Sequence, residues 1–403
     1  MKKIIESIFF TALIFASGCQ HKPVYPDYGS IYISTDPEGV EVLIDGSMTH
    51  RITPVKMDGI SVGNHEFTLR NFNYKTECFS LEIKPAQTSL VYKELSPIRL
   101  LRKDTLDISA GDMNLIAGIG EIYLTNLGGN NITVVRMADD GQLSVKEQID
   151  VGDSQRLIAV SSSADKVFFT RIKPDGEEEI VGLNLLSREI IQTIYLQDIK
   201  YYSTLLLSPD NSILVAADSL NRKLVLIDAH LCTIIRTINT AGCPTDISFD
   251  KNNSLRMYVT LSGTNQFALI NLETGAVVNS ISTGNSPGAI FWNNYSTQVG
   301  FCNRPDLTYT IVNIADWVTA TSGRDIAGTF MVGACWSNSD DYMLWAMDAC
   351  LGTMYMPNWQ QTTKIVNGSA LTPFPLIKIL LSNDKNYLLM LNNVQLVTVE
   401  LDL

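Results

Sequence analysis

Few stretches of this chain combine residue types and spacing that could do chemistry. The first is Gly284-Asn285-Ser286-Pro287-Gly288. Its G-x-S-x-G spacing is that of a serine nucleophile on a strand-to-helix turn, which also needs a histidine base. Here the flanks read as strands on both sides, and past residue 98 the chain has a single histidine, His230, in the turn "IDAHLCT". A loop between two strands is therefore expected at Ser286, and no catalytic residue is assigned. There is no H-E-x-x-H, no phosphate-binding glycine loop, no dinucleotide fingerprint and no EF-hand spacing. Cys78, Cys232, Cys243, Cys302, Cys335 and Cys350 form no C-x-x-C and no cysteine–histidine cluster, so neither a metal nor a cofactor is expected. Mostly free, buried thiols are expected instead. What remains is a set suited to binding: Asp153, Arg156, Lys200, Tyr201, Tyr202 and Asn285, with Asp198 and Ser286 beside them. Aromatic rings with charged neighbours can hold a sugar or a peptide, provided that the fold gathers them. Trp292 and Trp336 are weighed as a stacking platform, with packing between sheets as the expected role.

The elements that must do the gathering are legible as a repeat. "MYVTLSGTNQFALINLETGAVVNSISTGNSPGAIFW", Met257 to Trp292, reads as strand, turn, strand, turn, strand, loop and a further strand. Its first strand returns as "EIYLTN" at Glu121, "KVFFTR" at Lys166, "ILVAAD" at Ile213, "QVGFCN" at Gln298, "YMLWAM" at Tyr342 and "YLLMLN" at Tyr387. A period of roughly 41–46 residues in four-strand units predicts a β-propeller, and seven copies fit. The last copy has three strands. The fourth is expected from the N-terminal side, at "KDTLDISAG" (Lys103 to Gly111), closing the ring and removing exposed edges. The loops from each outer strand to the next inner strand then meet at one mouth, which would bring the binding set together. The turn holding His230 falls on the opposite face, so acid–base catalysis by it is not expected.

Three resemblances sharpen this outline. "MYVTLSGTNQFALINLETGAVVNSISTGNSPGAI" resembles the YVTN-type repeat of YncE-like envelope propellers, which implies a seven-bladed ring over residues 99–403. Upstream, alternation over Ile31 to Ile44 is broken by Asp36-Pro37-Glu38-Gly39, and Asp45-Gly46 follows as a tight turn. With Pro37-Glu38-Gly39-Val40, Thr53-Pro54 and Gly63-Asn64-His65, residues 30–98 resemble the PEGA domain. That implies a small β-sandwich-like spacer or binding module without catalysis, and a structural role for His65. The N-terminus has "MKK", an apolar run from Ile8 to Ala16 too short to span a bilayer, and "ASGC" ending at Cys19. It resembles a bacterial lipoprotein signal, which implies removal of residues 1–18, acylation of Cys19 and a tether over 19–29. The localisation implied is the cell envelope, at the outer membrane in a diderm host.

The formal net charge is −12, and loss of Lys2, Lys3 and Glu6 with the leader makes it more negative. With no dense basic stripe, nucleic acid is not an expected partner. The expected partners are the membrane, through the lipid, and an envelope protein or glycan. The competing reading is a lactonase- or lyase-like propeller enzyme with its site at the channel mouth.

Overall fold

The computed structural model describes residues 27–402 except 72–73, 117, 153, 196–200, 304–305, 307, 325–330, 338–341, 348–350, 356–359, 366–375, 383 and 385. Cys19, Asp153, Asp198, Lys200 and Cys350 therefore lie outside the described residues. Among the described residues the chain is all-β, and it divides into two compact units. One comprises the residues up to Leu69 with Glu77–Leu95. The other comprises Arg70–Thr76 with Ser96–Leu403.

The small unit is built from two sheets. In one, Tyr28–Asp36 lies between Val55–Ser61, antiparallel, and Thr88–Glu94, parallel. In the other, the order is Ser47–Ile52, Glu41–Ile44, Gly63–Arg70, Glu77–Ile83. Alternation in Tyr28–Asp36 buries Ile31 and Ile33 and leaves Tyr28 and Tyr32 outside. Val40, Val42, Leu43, Met57, Phe67, Leu69, Ile83 and Leu95 are buried with them. Asp45 (φ 50°) and Gly46 (φ 74°) both take the left-handed conformation of a tight hairpin turn.

The larger unit is a β-propeller of seven four-stranded sheets. Each of the first six blades runs inner strand, second, third, outer strand in chain order. The inner strands are Ala110–Ile116, Gln155–Val160, Thr204–Leu207, Cys243–Asp250, Pro287–Trp292 and Met331–Trp336. The seventh has Leu376–Leu381, Tyr387–Asn392 and Gln395–Asp402, and its outer strand is Arg99–Asp107 from the start of the unit. That strand lies four residues earlier than the sequence pattern suggests. Ala110 and Gly111 already belong to the first inner strand, because "DISAG" supplies the loop into blade one rather than the end of the strand before it.

The blades are joined by apolar layers. Ile158, Val167, Phe169 and Val181 of blade two pack on Tyr123, Ile132 and Val134 of blade one. Similar layers join blades two and three, three and four, four and five, and six and seven. Leu389, Leu391 and Leu396 of blade seven pack on Met113, Ile122, Leu124 and Val135 of blade one. Where a blade is covered on both faces, as blades one to four are, its second strand reads as a nearly continuous apolar run. Nearer the axis, inner-strand aspartates link neighbours. Asp112 accepts the Ile158 N–H at 3.1 Å, and Asp246 accepts the Ile290 N–H at 2.8 Å. Lys378 Nζ lies 2.6 Å from Asp112 Oδ1, joining the last inner strand to the first.

Candidate functional site

The loops between outer and inner strands all leave the same ends of the blades, since four antiparallel strands return the chain to the side it started from. At the junction of blades two and three, Arg156 is the second residue of an inner strand. Its guanidinium makes a two-point pair with Glu178, Nε to Oε1 at 2.5 Å and Nη2 to Oε2 at 2.7 Å. It also donates to the Tyr202 carbonyl. Glu178 Oε2 accepts the Tyr202 N–H at 2.8 Å. The carboxylate is 3% exposed, so this pair is a buried staple between blades. The Tyr201 ring covers the guanidinium, 3.9 Å from centroid to Cζ, and is 46% exposed.

Here the structure corrects the expectation of an exposed tyrosine pair. Tyr202 is fully buried among Leu157, Phe168, Leu205 and Leu214, and its hydroxyl has no hydrogen-bond partner among the described residues. Burial, then the nearby Glu178 carboxylate, hold its phenol well above the usual ionisation range. Adjacent residues in extended chain point oppositely, so one tyrosine faces solvent and the other the core. Arg156 is likewise a positioning and packing residue more than an open ligand-binding group.

A second cluster lies where blade four meets blade five. The Asn285 N–H and Nδ2 donate to Asp306 at 2.6 and 3.0 Å, and Asn265 Nδ2 donates to Asn285 Oδ1 at 3.2 Å. Ser286 is in the left-handed region (φ 48°), and its N–H donates to Asn265 Oδ1 at 3.1 Å. It sits between the strands Val277–Ser282 and Pro287–Trp292, in a loop and not on a strand-to-helix elbow. Asn285 is exposed. It shares an end of the propeller with Arg156 and Tyr201 but belongs to a separate cluster.

Trp292 donates from Nε1 to Ser248 at 2.7 Å and packs edge-on to Tyr258. Trp336 is 3% exposed. Both serve packing. His230 is exposed, in a turn held by Asp228. Of the cysteines, Cys232 and Cys302 are buried, whereas Cys78 is exposed and departs from the expected burial. Among the described residues, no three His, Cys, Asp or Glu side chains are grouped to hold a metal.

Three participants lie outside the binding set expected from the sequence. Glu178 is the middle of Glu177-Glu178-Glu179, and each acid has its own cation: Lys173, Arg156 and Arg171. The triple acid before an apolar run was a usable signal. Asp306 and Asn265 carried none, because their role depends on two loops meeting. At the opposite ends of the blades, a cavity of about 700 Å³ lies between blades one and seven. It is bordered by Ile119, Gly120, Arg136 and Asp139 on one side and by Asp384 and Tyr387 on the other.

In the small unit, His65 Nδ1 is 2.7 Å from Asp45 Oδ2, and its Nε2 is 2.9 Å from the Ser61 carbonyl. The Asp45 carboxylate raises the His65 pKa above its ordinary 6.5. In return His65, with the Glu66 N–H, holds Asp45 below 3.8. This ties the turn after Glu41–Ile44 to the strand Gly63–Arg70. Residues 28–99 match the PEGA domain. The match covers the small unit and the first residue of the strand that follows it. No curated protein matches the chain. Among solved structures, a chain of Kuenenia stuttgartiensis hydrazine synthase, a propeller-containing protein, superposes with a TM-score of 0.59 at 14% identity. The superposition spans 72% of this chain and 95% of that one. At such identity the likeness concerns the fold alone.

Proposed function

We propose that this is a lipid-anchored cell-envelope protein in which a PEGA module carries a YVTN-type, YncE-like propeller that captures an envelope protein or glycan without transforming it. The observation that carries the reading is how the charged groups at this end of the blades are used. Arg156 is neutralised by Glu178 and capped by Tyr201, and Asp306 is engaged by Asn285. What these loops offer a partner is an exposed tyrosine ring and a fixed array of amides. Loops held on a rigid ring are where binding residues concentrate. Anchoring rests on the "ASGC" sequence ending at Cys19, with acyl chains contributing about 0.8 kcal/mol per buried CH₂.

The test is capture from detergent-solubilised envelopes by the chain starting at residue 20, compared with its Tyr201→Ala/Asn285→Ala variant. Weakening by roughly tenfold, with folding unchanged, is expected for residues central to an interface. Equal capture by both proteins would move the site off these loops. Turnover of a lactone or glycan by the purified protein would replace binding with catalysis. Anchoring is read separately, by fatty-acid labelling of cells expressing the protein or its Cys19→Ala variant. Equal labelling of both would remove the anchor.

A further inference from the structure

The outer face of the three-stranded sheet in the small unit carries an unusual set of side chains for a water-exposed surface. Alternation points Tyr28, Ser30, Tyr32 and Ser34 of the central strand outward, with Leu90 and Tyr92 of the parallel edge strand beside them. Tyr32 is paired in register with Leu90, and Ser34 with Tyr92. Exposure is 57% for Tyr28, 38% for Tyr32, 79% for Leu90 and 64% for Tyr92. Val62, 41% exposed, follows the strand that ends beside Tyr28. The charges on the third strand of this face cancel, since Lys56 Nζ lies 2.8 Å from Asp58 Oδ1 and Ser30 donates to that same carboxylate. The middle of the face is apolar and aromatic with polar tips, and its charge is confined to the balanced Lys56–Asp58 pair and to two carboxylates, Asp36 and Glu94, at the end away from Tyr28. That is the chemistry of side chains that settle at the boundary between lipid headgroups and acyl chains.

The chain itself says what can cover the face. Tyr28 is the first residue of its strand and lies on this face. Eight residues, Gln20 to Asp27, separate it from Cys19. Fully extended they reach at most about 29 Å. A bilayer holding Cys19 is thus always within that distance of the apolar sheet face. Exposed apolar clusters of this kind mark interaction sites.

We infer that this sheet face rests on the surface of the lipid bilayer that anchors the chain, with Tyr32, Leu90 and Tyr92 as its contact residues. The inference rests on the anchoring at Cys19 and adds a second, weaker hold to it.

The experiment supplies the anchor chemically, so that its outcome does not depend on lipidation in cells. The chain from residue 20 is ligated at its N-terminus to a singly myristoylated peptide. Its partition onto phosphatidylethanolamine–phosphatidylglycerol vesicles is then measured. The comparison is Tyr32→Ser/Leu90→Ser/Tyr92→Ser, whose substitutions are at exposed positions and whose melting temperature reports folding. A partition at least fivefold weaker in a folded variant is the expected result. A milder Leu90→Ser variant, falling between the two, covers the case in which the triple variant does not fold. Equal partition of wild type and folded variants would overturn the inference. So would binding to lipid-free cell-wall sacculi that is lost in the same variants, since the face would then be a glycan site.

Discussion

At the scale of single residues, the binding and packing roles are separated by which way a side chain points. Tyr201 and Tyr202 are neighbours, yet one covers a guanidinium in solvent and the other fills the core. Tyr202→Phe is therefore expected to leave stability unchanged or raise it by up to about 1 kcal/mol, because the hydroxyl is buried without a partner among the described residues. Tyr202→Ala should cost about 3–5 kcal/mol in urea unfolding. Arg156→Met should also cost about 3–5 kcal/mol, since it leaves the buried Glu178 carboxylate unpaired, and Arg156→Met/Glu178→Leu should recover much of the loss. In the small unit the His65–Asp45 pair sets a pH window. His65 has its pKa raised, so its contribution is complete below 6.5 and is lost as pH rises through the raised value. Asp45 has its pKa lowered, so its contribution is complete above 3.8 and is lost as pH falls through the lowered value. The pair stabilises most between those two pH values. Asp45→Asn should bring the His65 titration, followed by NMR, back towards 6.5, and an unmoved titration would exclude the pairing.

At the scale of elements, the outer strands share a device that the sequence pattern did not announce. In all seven sheets the pairing of third and outer strands slips by one residue at an equivalent place. The extra residue is Lys146, Ile191, Ile235, Val278, Ala320, Thr362 and Lys103 in blades one to seven, by register. A bulge on an edge strand disrupts the row of unpaired N–H and C=O groups that would otherwise template aggregation. Blades one and seven place lysines there, each paired to a glutamate, Lys146 with Glu121 and Lys103 with Glu400. Blades two to four place apolar residues that stay exposed, including Ile235 at 54% and Val278 at 52%. Ile235→Lys is expected to change stability by no more than about 0.5 kcal/mol and to slow aggregation on heating. Deleting Ile235 should restore regular pairing and speed aggregation, measured by light scattering. Slower aggregation after the deletion would remove the protective role.

At the scale of the whole propeller unit, its last strand holds two parts of the sequence nearly 300 residues apart. Gln395–Asp402 pairs with Tyr387–Asn392 on one side and Arg99–Asp107 on the other, and it buries Leu396, Val397 and Val399. Ending the chain at Asn393 should cost on the order of 5 kcal/mol or more, from three side chains at about 1.5–3 kcal/mol each. The loss should appear as a lower melting temperature for the propeller. Lys378→Met removes only the partly exposed bridge to Asp112 and should cost about 1 kcal/mol or less. A truncated chain that melts like the full one would show that the pairing contributes nothing.

The sequence by itself determined the class of fold, the number of repeats and the phase of the strands. The seven segments from "EIYLTN" to "YLLMLN" are second strands in the structure, because an apolar run between turn residues has one stable place in a stack of covered sheets. It also marked the small unit through Asp45-Gly46 and Pro37-Glu38-Gly39, where turn chemistry is local. Only the tertiary structure decided which loop residues are available. Tyr202 is taken by the core and Arg156 by Glu178, whereas Asn285 is fixed by Asp306 but stays exposed, and each of these choices depends on side-chain direction or on loops distant in sequence. The outer-strand bulges were equally hidden, since an extra residue in one strand is visible only against the register of its partner. Composition and periodicity report averages over an element. Sites and registers are set by individual pairs brought together from afar, and those pairs leave little trace in the order of residues along the chain.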